Sequence, residues 1–101
     1  MEVKVEIFPN SMTITTDEKM VTVQPNESFT TTRLLVGNFS AAVSCLKGGL
    51  EEIGATGVLK LKPSIVIRPR AMLEGGLSEI EERTFQELGH AAGAKSVVIQ
   101  Q

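Results

Sequence analysis

The chain has one cysteine, one histidine, no tryptophan and no tyrosine among its 101 residues. A single thiol cannot close an internal disulfide, and one histidine with one cysteine cannot build a structural zinc site. An excess of one charge is missing too. Ten basic against twelve acidic side chains leave a net charge of -2, which removes a broadly basic, nucleic-acid-coating surface as the default. No run approaches the ~18–20 apolar residues of a membrane span. The opening MEVKVEIF carries neither a basic n-region nor a long apolar stretch, so no secretory signal is visible. These absences predict a cytoplasmic protein without cofactor. What is present is ordinary for a folded protein: 42% apolar and 22% charged residues, in a length that supports one core. Residues 1–101 therefore read as a single domain.

The first 25 residues have the patterning of strands. In VKVEIF, Val3, Val5 and Ile7 alternate with Lys4 and Glu6, the period of a half-buried strand. Pro9, Asn10 and Ser11 are turn chemistry, because proline fixes φ and asparagine tolerates left-handed geometry. MTITT and MVTVQ follow, separated by the polar break Asp17-Glu18-Lys19, and predict an antiparallel meander. Residues 27–37 have no period and read as a loop, with short extended pieces around residues 34–36.

Helical spacing then begins. Asn38 is placed to cap, and Phe39, Val43, Leu46, Leu50 and Ile53 recur at steps of four and three, one continuous stripe. Gly48 and Gly49 weaken that helix by roughly 1 kcal/mol each, and close approach to a neighbouring element is the purpose assigned to them. Gly54 suits the left-handed residue that ends a helix. The run Ile65-Val66-Ile67 between Pro63 and Pro69 reads as a short strand covered on both faces. Ser78 and Glu81 form a capping box, opening a helix whose predicted inward stripe is Ile80, Thr84, Leu88 and Ala91, widened by Phe85 and Ala92, and which stops at Gly93. Val97-Val98-Ile99 reads as a last strand, apolar on both faces. The order βββαβαβ, with right-handed parallel crossovers after the meander, predicts an α/β fold: a mixed five-stranded sheet in the order 3-2-1-4-5 with two helices, the ribonuclease-H-like arrangement found in each half of actin-type ATPases.

Residues 78–97, SEIEERTFQELGHAAGAKSV, carry a resemblance. Glu79, Glu81, Arg83, Glu87, Ala92, Gly93, Ala94 and Val97 match a helix of the kind T-E-V-E-K-R-A-V-x-E-A-A-x-x-A-G-A-R-E-V. Upstream, KPSIVIRP is similar to the strand before that helix, and Asn38-Phe39 stands where an Asp-Phe opens the preceding one. Together these resemble the first-half lobe of MreB, the rod-shape-determining family of actin-like ATPases. The opening hairpin EIFPNSMTI lies where that family has its phosphate loop, D-L-G-T-A-N-T-L-I. There Glu6 replaces the aspartate, Phe8 the glycine and Pro9 the threonine, with Asn10 and Ser11 following. The resemblance implies a phosphate loop that has degenerated: Phe8 takes up room a phosphate would need, and Pro9 removes a backbone donor. Residue 101 falls where the family continues into its second half, so ATP hydrolysis by this chain alone is not expected.

The remaining chemistry-bearing residues have plain readings. Glu6 as a relic of a nuclease metal ligand lacks the further carboxylates that two-metal chemistry needs, so a structural glutamate is expected. Glu79, Glu81 and Glu82 suit the positive end of a helix dipole and, with Glu87, a solvated helix side on which Arg83 is the i,i+4 partner of Glu79 and Glu87. Cys45 borders the first helical stripe as a small packing residue. His90, in the last turn of the second helix, has no acid beside it in sequence. Arg68 and Arg70 flank a proline at the end of a strand, where open α/β sheets face ligands. The reading overall is a non-catalytic protein-binding module. It docks to an actin-like filament protein, or pairs with a second copy through the exposed end strands, whose edge N–H and C=O groups lack partners. The candidate docking surface is Glu79, Glu82, Arg83, Gln86, Arg68 and Arg70. No metal, cofactor, nucleic acid or membrane span is expected. The alternative is a small enzyme, a residual nucleotide-binding ATPase or a ribonuclease-H-type nuclease.

Overall fold

The computed structural model describes residues 1–57 and 61–101. Three strands come first, β1 (Glu2–Phe8), β2 (Ser11–Thr15) and β3 (Met20–Val23), then helix α1 (Phe39–Glu52), strand β4 (Ser64–Pro69), helix α2 (Glu79–Ala91) and strand β5 (Ser96–Ile99). They form one five-stranded mixed sheet in the order β3-β2-β1-β4-β5. The meander pairs antiparallel, with Val5 opposite Ile14 and Met12 opposite Val23. β4 runs parallel to β1 with Val3 opposite Ile65, and β5 parallel to β4 with Ile65 opposite Val97. The element order, pairing and strand order agree with the expectation from patterning.

Because side chains alternate across a sheet, Val3, Val5, Ile7, Met12, Ile14, Ile65, Ile67 and Val97 share one face, and all are buried. Both helices cover that face. Among the described residues, no layer covers the other face. Lys4 is exposed there, while Glu6, Thr13, Val66 and Arg68 are half-buried between their strand neighbours. This corrects the expectation for the two short apolar strands. Val66 is not enclosed, and Val98 is 55% exposed, because both crossovers lie on the same side of the sheet.

The helices keep part of their expected stripes, with Leu46, Leu50 and Ile53 of the first and Phe85, Leu88 and Ala92 of the second buried, but each is turned enough that other members face out. On α1 the buried residues are Ala41, Ala42, Cys45, Leu46, Gly49 and Leu50, and Phe39 is at the surface. On α2 they are Phe85, Leu88 and Gly89, while Ile80 is 78% exposed and Ala91 also faces solvent. Each helix is seated on the sheet through a glycine. A methyl group on Gly49 would collide with the Ile14 side chain, and one on Gly89 would lie 2.5 Å from Cγ2 of Val97. Contact at those points lets the axis approach closely, and the larger apolar residues follow the rotation it imposes.

The helix ends agree with the reading. Asn38 caps α1 by accepting from the Ala41 N–H, and Ser78 with Glu81 closes the capping box on α2. Gly54 (φ 80) and Gly93 (φ 112) stand in the left-handed region just past the helices. The connection between β3 and α1 is irregular throughout, yet it supplies Phe29, fully buried, together with buried Leu35 and Val36. It closes the end of the core nearest the hairpin.

Candidate functional site

The candidate residues gather mainly at two places, the β1–β2 hairpin and the outer flank of α2. At the hairpin, Phe8 pairs with Ser11, leaving Pro9 and Asn10 as the turn. Proline first and a left-handed residue second (Asn10, φ 51) is the pattern of a type II turn. The side chain of Asn10 points back into the molecule. Its Oδ1 accepts from the backbone N–H of Phe29 at 2.9 Å and of Thr30 at 3.0 Å. Its own N–H donates to Thr30 Oγ1 at 2.9 Å, and that hydroxyl donates onward to the Leu35 carbonyl at 2.7 Å. The Phe29 carbonyl in turn accepts from the N–H groups of Gly37 and Asn38 at 2.8 and 2.9 Å. The hairpin tip is thus fastened to residues 29 and 30 of the same chain, and that fastening takes up the Oδ1 and the backbone N–H of Asn10. Phe8 alternates with Ile7 and so lies on the uncovered sheet face, half-buried, with Pro9 exposed.

Glu6 points to that same uncovered face. Its Oε2 lies 3.6 Å from Nε of Arg70, with the two side chains 21% and 40% exposed. This is the only ion pair among the described residues. At such exposure it contributes about 0–1 kcal/mol. Arg83 makes no ion pair with Glu79 or Glu87, so the expected i,i+4 partnership is not formed. Arg68 is register partner to Glu6 on the neighbouring strand and half-buried.

The outer flank of α2 gathers the other candidates. Glu79, Glu82, Arg83 and Gln86 fall at helical steps of three, one and three, one stripe along the helix. Together with residues 97–99 of β5 they line an open groove of about 510 Å³. Four of the six residues assigned to docking therefore share one surface. Arg68 and Arg70 do not join them: one lies on the uncovered sheet face and the other against Glu6. The floor of this groove is one of the end strands expected to be open to pairing. β5 is the last strand of the sheet, so half of its backbone groups have no partner, and Val98 is its exposed apolar residue.

His90 Nδ1 lies 3.2 Å from the carbonyl of Ala94, a local contact closing the end of α2. Cys45 is buried. Burial pushes its thiol up to about 11, so it is a packing residue and not a thiolate at neutral pH. No group of three or more acidic, histidine or cysteine side chains that could hold a metal occurs among the described residues, and no helix there is long and apolar enough to cross a membrane. Compared with family models, with curated proteins and with solved structures, the chain has no match.

Proposed function

We propose that this chain is a non-catalytic protein-binding module of the cytoplasm, built as a ribonuclease-H-like, actin-like lobe of the MreB type, which docks to a protein partner along α2 and β5. The observation that carries the reading is the groove itself. A charged helical stripe, Glu79 to Gln86, stands beside a strand edge that has open backbone donors and acceptors and an exposed valine. Edges of this kind are where an extended segment adds to a sheet, with backbone bonds giving affinity and flanking side chains giving selectivity. The hairpin supports the non-catalytic half of the proposal. Its position corresponds to a phosphate loop in the family the sequence resembles, and here the Oδ1 and backbone N–H of Asn10 are engaged by Phe29 and Thr30. An actin-like filament protein is one partner of suitable kind.

Photo-crosslinking from residue 86 tests the docking surface, with residue 13 on the uncovered sheet face as control. Crosslinks to a polypeptide from position 86 and none from position 13 are expected; equal capture from both defeats the assignment. Calorimetric titration with Mg-ATP tests the other half. Heat of binding at micromolar nucleotide would overturn the non-catalytic reading, and none is expected.

A further inference from the structure

We infer that the partner seated on this groove is a second copy of the same chain: two β5 strands pair antiparallel about a two-fold axis, making one continuous ten-stranded sheet with the two α2 helices side by side on it. This deepens the docking reading and rests on it. The backbone fixes the register. Gln100 N–H donates to the Ile67 carbonyl at 2.9 Å, and Ile67 is the register partner of Ile99. In a parallel ladder the bonding groups alternate along the strand, so the N–H of Val98 also turns toward β4. Val97 and Ile99 then turn theirs outward. An antiparallel copy exchanges bonds between Val97 and the partner's Ile99, which sets Val98 opposite its own copy in a non-hydrogen-bonded pair, the closest side-chain pairing a sheet offers. The exposed valine is thereby covered by itself.

The charges agree with an antiparallel approach. The acids of α2 crowd its first turn, Glu79, Glu81 and Glu82, whereas the later turns hold one base and one acid, Arg83 and Glu87, which offset each other. Two-fold symmetry lays the acidic first turn of one helix along the near-neutral later turns of the other and opposes their dipoles, whereas a parallel approach sets acid upon acid. Residues 96–101, SVVIQQ, carry no charge. The opposite edge, β3, is bracketed by Lys19 and Pro25, residue types that discourage edge pairing.

Sedimentation equilibrium across a concentration series tests the pairing. The wild-type mass is expected to rise to twice that of the monomer. Ile99→Pro removes an outward N–H without touching the ladder to β4 and also trims apolar packing, since Ile99 lies half-buried against the core. It is expected to fold as a monomer with a lowered melting temperature, whereas Ile99→Ala, which trims the same packing but keeps the N–H, is expected still to dimerise. Should the proline variant unfold, the exposed pair Glu79→Lys and Glu82→Lys serves instead; it turns both acids of the stripe into bases and weakens association about tenfold. A Cys45→Ala, Val98→Cys protein is expected to form an intermolecular disulfide on mild oxidation, the two thiols facing each other across the axis. A wild-type chain that remains monomeric throughout, or a dimer indifferent to a folded Ile99→Pro, overturns the inference. In the first case, capture of a different polypeptide from residue 86 leaves the docking reading standing, and no capture from that position removes both.

Discussion

Asn10 holds a left-handed turn with its backbone and the 28–38 loop with its side chain. Asn10→Ala strands two backbone donors and forces an unfavourable φ, so a loss of roughly 1–3 kcal/mol in urea unfolding is expected. Asn10→Asp keeps the acceptor and should retain most of that stability. Cys45 gives a second prediction at this scale. Its folded pKa is raised from 9.0 to about 11 by burial, so above pH 9 the unfolded chain ionises first. The thiol's contribution is complete below pH 9 and is lost as pH rises toward 11. The melting-temperature gap between wild type and Cys45→Ala should therefore narrow across that window, and a gap that widens there refutes the assignment.

The two helices show how an element finds its seat. Gly89 meets Val97, whose branching at Cβ leaves it no way to swing aside, so Gly89→Ala is expected to cost about 1–3 kcal/mol from overpacking. Gly48 has open space where a side chain would begin, and Gly48→Ala should stabilise by about 0.5–1 kcal/mol. Chemical denaturation of the two variants, run side by side, reads the opposite signs. This pair also explains what was legible beforehand. Strand alternation, the caps at Asn38 and Ser78, and the stops at Gly54 and Gly93 are local signals, and all were readable. The rotation of each helix was not, because a stripe drawn through the largest apolar residues gives weight to Ile80 and Phe39 and none to a glycine. Phe29 escaped for a related reason: an irregular segment has no period to betray a buried ring. At the groove, the charged stripe could be read from helical spacing. Its separation from Arg68 and Arg70 depended on which sheet face and which end each side chain meets.

The whole molecule is a two-layer sandwich, helices on one side of the sheet and solvent on the other. Its radius of gyration, 12.4 Å, is that of a compact chain of this length, for which about 13 Å is typical. Adjacent residues on β4 should therefore respond very differently to the same change. Ile67→Thr buries a hydroxyl with no partner and is expected to cost roughly 2 kcal/mol or more, whereas Val66→Thr, on the uncovered face beside Lys4, should fall within about 0.5 kcal/mol of wild type. Equal losses at the two positions, read by thermal melts, would show that a second layer covers the sheet. The tether at the hairpin has an effect at the same scale. The amides of Phe29 and Thr30 sit in a stretch with no helix or ladder, yet they can meet solvent deuterium only when the loop lifts off the Asn10 side chain. A segment that looks like a mere connector thus carries exchange protection of its own.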